Sequence, residues 1–137
     1  MGTVHAEITL KNARDEGNAR NGVIKAEEVR TATVQALVDT GAMYLVINKD
    51  LCEKLGLTII RERYALVANG ERVKCEETEP VDICWKNRAS TLPAVVIPGA
   101  RKILLGVVPL ECMDLIVNPV TRELEGAHGD MELVLAL

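Results

Sequence analysis

Ala36-Leu37-Val38-Asp39-Thr40-Gly41-Ala42, followed by Met43-Tyr44-Leu45-Val46-Ile47, sets an acidic tight turn between two aliphatic runs. Residues 31–38 (TATVQALV) alternate small polar and apolar types, the period-two signal of a strand. Residues 44–47 form a continuous β-prone run, which suits a strand buried on both faces. The turn between them offers a carboxylate, a β-branched hydroxyl and a glycine. Flanked this way, Asp39 is expected to be half-buried, unlike the acid of an ordinary surface turn.

The chain around this stretch has 137 residues, enough for one domain with a real core and too few for two. Hydrophobic residues make up 48%, yet there is no Phe, one Trp and two Tyr, so the core must be aliphatic and β-branched. A net charge of −4 with no long block of like charge argues against a nucleic-acid groove or a membrane-surface patch. No apolar run approaches the length of a membrane span and no signal-peptide pattern opens the chain, so a soluble, cytoplasmic protein is expected. Cys52, Cys75, Cys84 and Cys112 form no Cys-x-x-Cys pair, and His5 and His128 lie at opposite ends. A zinc site needs closely paired ligands, so no metal or other cofactor is expected. The cysteines are expected to be reduced thiols, mostly buried as small apolar residues.

Residues 3–10 alternate Val4, Ala6, Ile8 and Leu10 on one face, a first strand. Residues 11–22 (KNARDEGNARNG) are polar and suggest an exposed hairpin loop or insertion, and residues 23–30 a second strand. Asn48 is a suitable N-cap for a short helix over residues 49–55, ended by Gly56. Residues 64–68 and 71–75 flank Asn69-Gly70, which predicts a hairpin with a type I′ turn. Strands are expected over residues 81–85 and 92–97, with Lys86-Asn87-Arg88 as a turn and Pro93 at a strand start or edge. Ile103-Leu104-Leu105-Gly106 is a short buried run, residues 107–113 a single helical turn, and residues 115–117 a strand. His128 falls in a loop. The apolar run of residues 131–137 (MELVLAL) is expected to pair with something. Many short strands with frequent turns and two short helices argue for a mainly β barrel or sandwich.

Asp39-Thr40-Gly41-Ala42 after Ala36-Leu37-Val38 resembles the active-site loop of the retropepsin-like aspartic proteases. Further segments match that family in order. Residues 47–57 are similar to the strand and short helix after the aspartate loop in its bacterial branch. Residues 66–73 (LVANGERV) resemble that branch's flap hairpin. Pro98-Gly99-Ala100 and Ile103-Leu104-Leu105-Gly106 resemble the segment packed beneath the catalytic loop, and residues 109–119 continue the match. The resemblance spans about residues 31–124 and implies a mainly β, closed acid-protease barrel with one or two short helices. It implies Asp39 as catalytic, with Thr40, Gly41 and Ala42 supporting the active-site loop. Ala68, Asn69 and Gly70 would contact substrate from the flap, and Leu104, Leu105 and Gly106 would support the loop. Two positions depart from the family pattern. Met43 stands where members commonly carry Ser, Thr or Asp, and the flap tip has Gly70 as its single glycine.

Peptide hydrolysis of this kind uses two carboxylates sharing one proton, and this chain has one Asp-Thr-Gly. Asp15-Glu16-Gly17 is the only other Asp-x-Gly and falls in the polar stretch. The resemblance therefore implies a homodimer with Asp39 from each copy on the two-fold axis and a peptide or protein as substrate. Thr40 hydroxyls would bond across that axis, and the tail, with residues 3–10, would join the protomers. Ser90 is the only serine and has no neighbouring histidine, which argues against a Ser-His-Asp hydrolase. Two other readings stand beside the protease. One is a non-catalytic peptide-binding or scaffold module of the same fold. The other is a phosphate-gripping Asp-x-Gly loop of the actin/hexokinase type, which requires a duplicated domain this chain lacks.

Overall fold

The computed structural model describes residues 3–135. The strands among them are β1 His5–Asn12, β2 Thr31–Val38, β3 Leu45–Ile47, β4 Ile59–Leu66, β5 Arg72–Trp85, β6 Arg88–Val96, β7 Ile103–Leu105, β8 Leu115–Asn118 and β9 Glu123–Gly126. The helices are α1 Ala13–Arg20, α2 Lys49–Lys54 and α3 Val107–Cys112, with one 3-10 turn at Ala26–Glu28.

Six strands pair in the order β1-β2-β7-β3-β6-β5, and β5 returns to β1 through pairs running from Thr9↔Cys84 to Asn12↔Val81. The result is the closed, mainly β barrel expected from the sequence. It is mixed, because β2 with β7 and β3 with β6 run parallel while the other pairs are antiparallel. The pleat explains the core. In β1 the alternate residues Ala6, Ile8, Leu10 and Asn12 are all buried. Across the interior they meet Val81 and Ile83 of β5 and the fully buried Leu45, Ile47 and Leu105. Each such aliphatic side chain contributes about 1.5–3 kcal/mol over leaving it in water, so a core without phenylalanine suffices. All three residues of β3 are buried, as expected of a run buried on both faces.

β4 lies outside the ring, antiparallel to the first half of β5, and the two project as a hairpin. Its tip differs from the expected type I′ turn. Leu66 pairs with Arg72, and Gly70 N–H donates to Val67 O at 2.9 Å, so Ala68 and Asn69 are the central residues. Gly70 alone takes a left-handed conformation, φ +86°. The five intervening residues form a one-glycine bulged loop instead of a two-residue turn that would place both Asn69 and Gly70 at positive φ.

Residues 11–22 do not form the expected loop. They contain α1, making three short helices in place of one or two. Asn12 caps it, its side chain accepting from Asp15 N–H at 3.0 Å, and Asp15, Glu16 and Arg20 sit at the ends that suit their charges. With almost no apolar face this helix leaves no periodic trace. Asp15 is accordingly buried in a helix and not exposed in a polar loop. Arg30 clamps it, with Nε to Oδ2 at 2.8 Å and Nη2 to Oδ1 at 3.0 Å. That clamp and the Asn12 N–H to Arg30 O bond at 3.0 Å fix both ends of the segment. Residues 23–30 are consequently a 3-10 turn and coil, not a strand, and Val23 stays 70% exposed.

Two further expectations shift. β6 begins at Arg88, four residues before the expected start, and Pro93 lies inside it opposite Pro80, next to a register irregularity in β5. Pro93 is tolerated there because β6 pairs with β3 only from Ala94 onward, so the missing N–H breaks no ladder bond on that side. Glu123–Gly126 pairs with β8 as a separate hairpin that the turn-rich sequence concealed. Buried Arg88, in the expected turn, ties that hairpin to the barrel by donating to Met113 O, Asp114 O and Gly129 O. Residues 131–135 form no strand and leave Met131, Leu133 and Leu135 exposed, while Ala136 and Leu137 lie outside the described residues.

Candidate active site

β2 and β3, the two runs flanking the acidic turn, are not neighbours. β7 threads between them, parallel to β2 through Leu37↔Leu104 and Val38↔Leu105, and antiparallel to β3 through Leu45↔Leu105. The loop of residues 39–44 therefore bridges a gap one strand wide, which holds its crest clear of the sheet. Asp39 N–H donates to Leu105 O at 3.0 Å, continuing the β2–β7 ladder into the loop. Ala42 N–H donates to Asp39 O at 3.1 Å and closes the turn. Gly41 N–H donates to Asp39 Oδ1 at 2.8 Å and orients the carboxylate. No hydrogen bond from the described residues reaches Oδ2. Asp39 is half-buried, as expected, while Thr40 and Gly41 are exposed at the crest.

α3 braces the loop from below. Val107 N–H donates to Ala42 O at 2.9 Å and Val108 N–H to Met43 O at 2.8 Å. First-turn amides of a helix have no partner within it, so here the loop carbonyls take that place. Gly106 permits the approach. A Cβ there would stand 2.6 Å from both Ala42 O and Tyr44 O.

The loop borders an open groove of about 710 Å3. Asp39, Gly41, Ala42 and Met43 form one side, with Tyr44 and Val46 behind them. Val95 and Ile97 from the end of β6, with Leu104, form the base, and Ala65, Leu66, Val67 and Ala68 of the β4–β5 hairpin overhang it. The structure thus brings together Asp39, Gly41, Ala42, Ala68 and Leu104 from the predicted set. Thr40 adjoins them without lining the groove. Asn69 and Gly70 sit at the exposed hairpin tip, beyond the lining, where Asn69 Oδ1 accepts from Glu71 N–H at 2.9 Å. Leu105 points to the opposite face of β7 and is fully buried in the core, and Gly106 contacts the loop from beneath.

Sequence reasoning did not single out Tyr44, Arg63 and Cys75 as groove residues. Arg63 and Cys75 face each other across β4 and β5. The strand alternation that puts Ala65 toward the groove puts Arg63 there too, and this was the available signal. Burial pushes the Cys75 thiol up, away from the reactive thiolate. Among the four cysteines, all unpaired, Cys52 and Cys75 are buried and Cys84 partly so, while Cys112 is exposed. Met43 is 62% exposed on the groove rim and presents a thioether where a hydroxyl or carboxylate was the family pattern.

Chemically, the groove can hold an extended, largely apolar chain between hairpin and floor, with one oriented carboxylate against it. No group of three or more His, Cys, Asp or Glu side chains among the described residues is placed to hold a metal ion.

A model of the aspartyl protease family matches residues 21–108, the span from before β2 through β7 and into α3. Among solved structures, the fold is similar to the retroviral protease-like domain of Ddi1 from Leishmania major, with a TM-score of 0.56 and 13% identity over 88% of this chain and 84% of that one. No curated protein matches the chain. The barrel is thus of the retropepsin type and, with the family model covering the loop, hairpin and supporting strand, this chain belongs to the aspartyl protease family.

Proposed function

We propose that the protein is a homodimeric aspartic endopeptidase in which Asp39 from each of two copies activates a water molecule. What carries this reading is the single Asp-Thr-Gly loop, its carboxylate oriented by Gly41 N–H at the side of a groove overhung by a hairpin. One carboxylate takes a proton from water as it attacks the peptide carbonyl, and the other protonates the carbonyl oxygen. Each chain supplies one such loop, so the second acid comes from the second copy. Two carboxyls at close range are held together by sharing one proton, which is the proton the second acid donates. In this arrangement Thr40 and Gly41, exposed at the loop crest, meet their counterparts across the two-fold axis. The chain acts as one protease domain. Its unpaired cysteines are in keeping with a reducing compartment, and we assign it to the cytoplasm. Among the described residues no helix is long and apolar enough to cross a membrane.

Asp39→Asn keeps the size and the Gly41 hydrogen bond but removes the acid–base function. Cleavage of a peptide library, scanned over about pH 3 to 7, is expected to fall by roughly a thousand-fold or more in this variant, while size and thermal melting stay those of the parent. Equal cleavage by parent and variant overturns the enzyme reading. Binding of peptide or pepstatin without turnover by the parent protein would instead support a peptide-binding module of the same fold.

A further inference from the structure

Among the described residues, Asp39 and Arg63 are the only charged ones lining the groove. Arg63 lies on the groove face of β4, with its guanidinium 5.8 Å from the centre of the Tyr44 ring. One of its nitrogens, Nη1, donates to Glu77 Oε1 at 2.9 Å. That ion pair does not neutralise it. Glu77 is buried, and its other oxygen, Oε2, is taken by Arg61. Two guanidinium groups thus share one carboxylate, which leaves one positive charge in excess. The buried Glu77 fixes where that charge sits, Tyr44 supports the guanidinium plane, and the Arg63 side chain is still 46% exposed. A guanidinium anchored at one nitrogen, with N–H donors left open to the groove, matches a carboxylate in both charge and geometry.

We propose that Arg63 is a specificity-determining residue, selecting peptides that seat a Glu or Asp side chain between Tyr44 and the hairpin. This rests on the reading of the groove as a peptide-binding cleft of a protease. The rest of the groove is mainly apolar and accepts aliphatic residues, so the recognised peptide combines apolar positions with one acid at a set distance from the scissile bond. Charged rim contacts are weakened by salt, and the preference shrinks as ionic strength rises.

The test uses paired peptides from a cleavage library, identical except for Glu or Gln at each position in turn. At one position the parent enzyme is expected to favour Glu by about ten-fold in kcat/KM, a difference of about 1.4 kcal/mol, carried by KM. In Arg63→Gln the Glu-to-Gln ratio at that position is expected to fall to about one, and in Arg63→Glu a Lys-containing peptide is expected to overtake the Glu peptide. Arg61 remains on Glu77 in both variants, so folding keeps one of the two partners, and melting curves check this. A parent enzyme without a Glu preference, or one whose preference survives in Arg63→Gln, overturns the proposal while leaving the protease reading intact. Binding of the same fluorescent peptide pairs to Asp39→Asn separates the two claims. A Glu preference in binding that depends on Arg63, together with a parent protein that cleaves none of the peptides, sustains this proposal and sinks the protease. Equal binding of each pair sinks the proposal.

Discussion

Two glycines near the groove are required for opposite reasons, and each makes the other clearer. Gly70 has φ +86° and open space around its Cα, so a side chain there meets a conformational cost and nothing else. Gly106 has φ −91° and ψ −174°, extended backbone that any residue adopts, yet a Cβ would press on the carbonyls of Ala42 and Tyr44 at 2.6 Å. Both are backbone atoms of a loop whose Ala42 and Met43 carbonyls accept from Val107 and Val108 N–H, so they yield only if the loop moves. Gly106→Ala is therefore expected to cost about 1–3 kcal/mol, the range for overfilling a well-packed site. The urea midpoint should drop without a change in slope. Because the displaced atoms belong to the loop that carries Asp39, cleavage should fall further than stability alone accounts for. An unchanged midpoint would mean that the close approach is not a constraint. In sequence, the Ile-Leu-Leu-Gly run marks this site, but the requirement itself is a distance between residues 42–44 and 106, and no local pattern encodes that.

At the scale of elements, α1 and the coil after it are held by charge instead of apolar packing. The Arg30 guanidinium beside Asp15 holds its carboxyl below the usual carboxylate range. A carboxyl with a folded pKa below its unfolded value adds stability that is full above about pH 4 and is lost as pH falls through the folded value. Asp15→Asn is thus expected to cost about 2 kcal/mol near neutrality, where it breaks hydrogen bonds to a charged group. The gap to the parent should narrow as the solution is acidified below about pH 4. Denaturant melts at a series of pH values test this, and a gap that stays constant rules out the ionised clamp. The same reasoning shows why this region was illegible in the sequence while the barrel was not. β1, β2, β3 and α2 announce themselves by alternation, aliphatic runs and the Asn48 cap, because apolar burial leaves a period. α1 has a cap, Asn12 with Asp15 three residues on, but no apolar stripe. Its partner Arg30 lies 15 residues away. The strand expected over residues 23–30 failed likewise, since the Asp15–Arg30 clamp outweighs the weak β preference of Val23 and Ile24. The groove was half legible. Asp39 and its flanks stand out locally, whereas Arg63 is marked only by its alternation with Ala65, and its place over Tyr44 follows from the hairpin register.

For the whole molecule, the apolar tail and the count of acids make one argument. Leu133, Val134 and Leu135 are 73%, 49% and 62% exposed and pair with no strand among the described residues. An exposed apolar run of this size marks a surface that a partner covers, and in the proposed homodimer a second copy of the chain would supply both that cover and the second carboxylate. Burying a Leu or Val contributes about 1.5–3 kcal/mol, and 1.4 kcal/mol is a factor of ten in affinity. Removing residues 131–137 should therefore weaken association by more than about a hundred-fold. The barrel should survive, because none of its strands pairs with residues 131–135. Two measurements check this together. Sedimentation should show the parent as a dimer and the truncated chain as a folded monomer at the same concentration. Specific activity of the parent should fall in proportion to concentration once it is diluted below the dissociation constant, because only the dimer fraction holds two copies of Asp39. A truncated chain that cleaves as fast as the parent, or a parent whose specific activity ignores dilution, would leave one chain sufficient for catalysis and remove the need for a shared pair of acids.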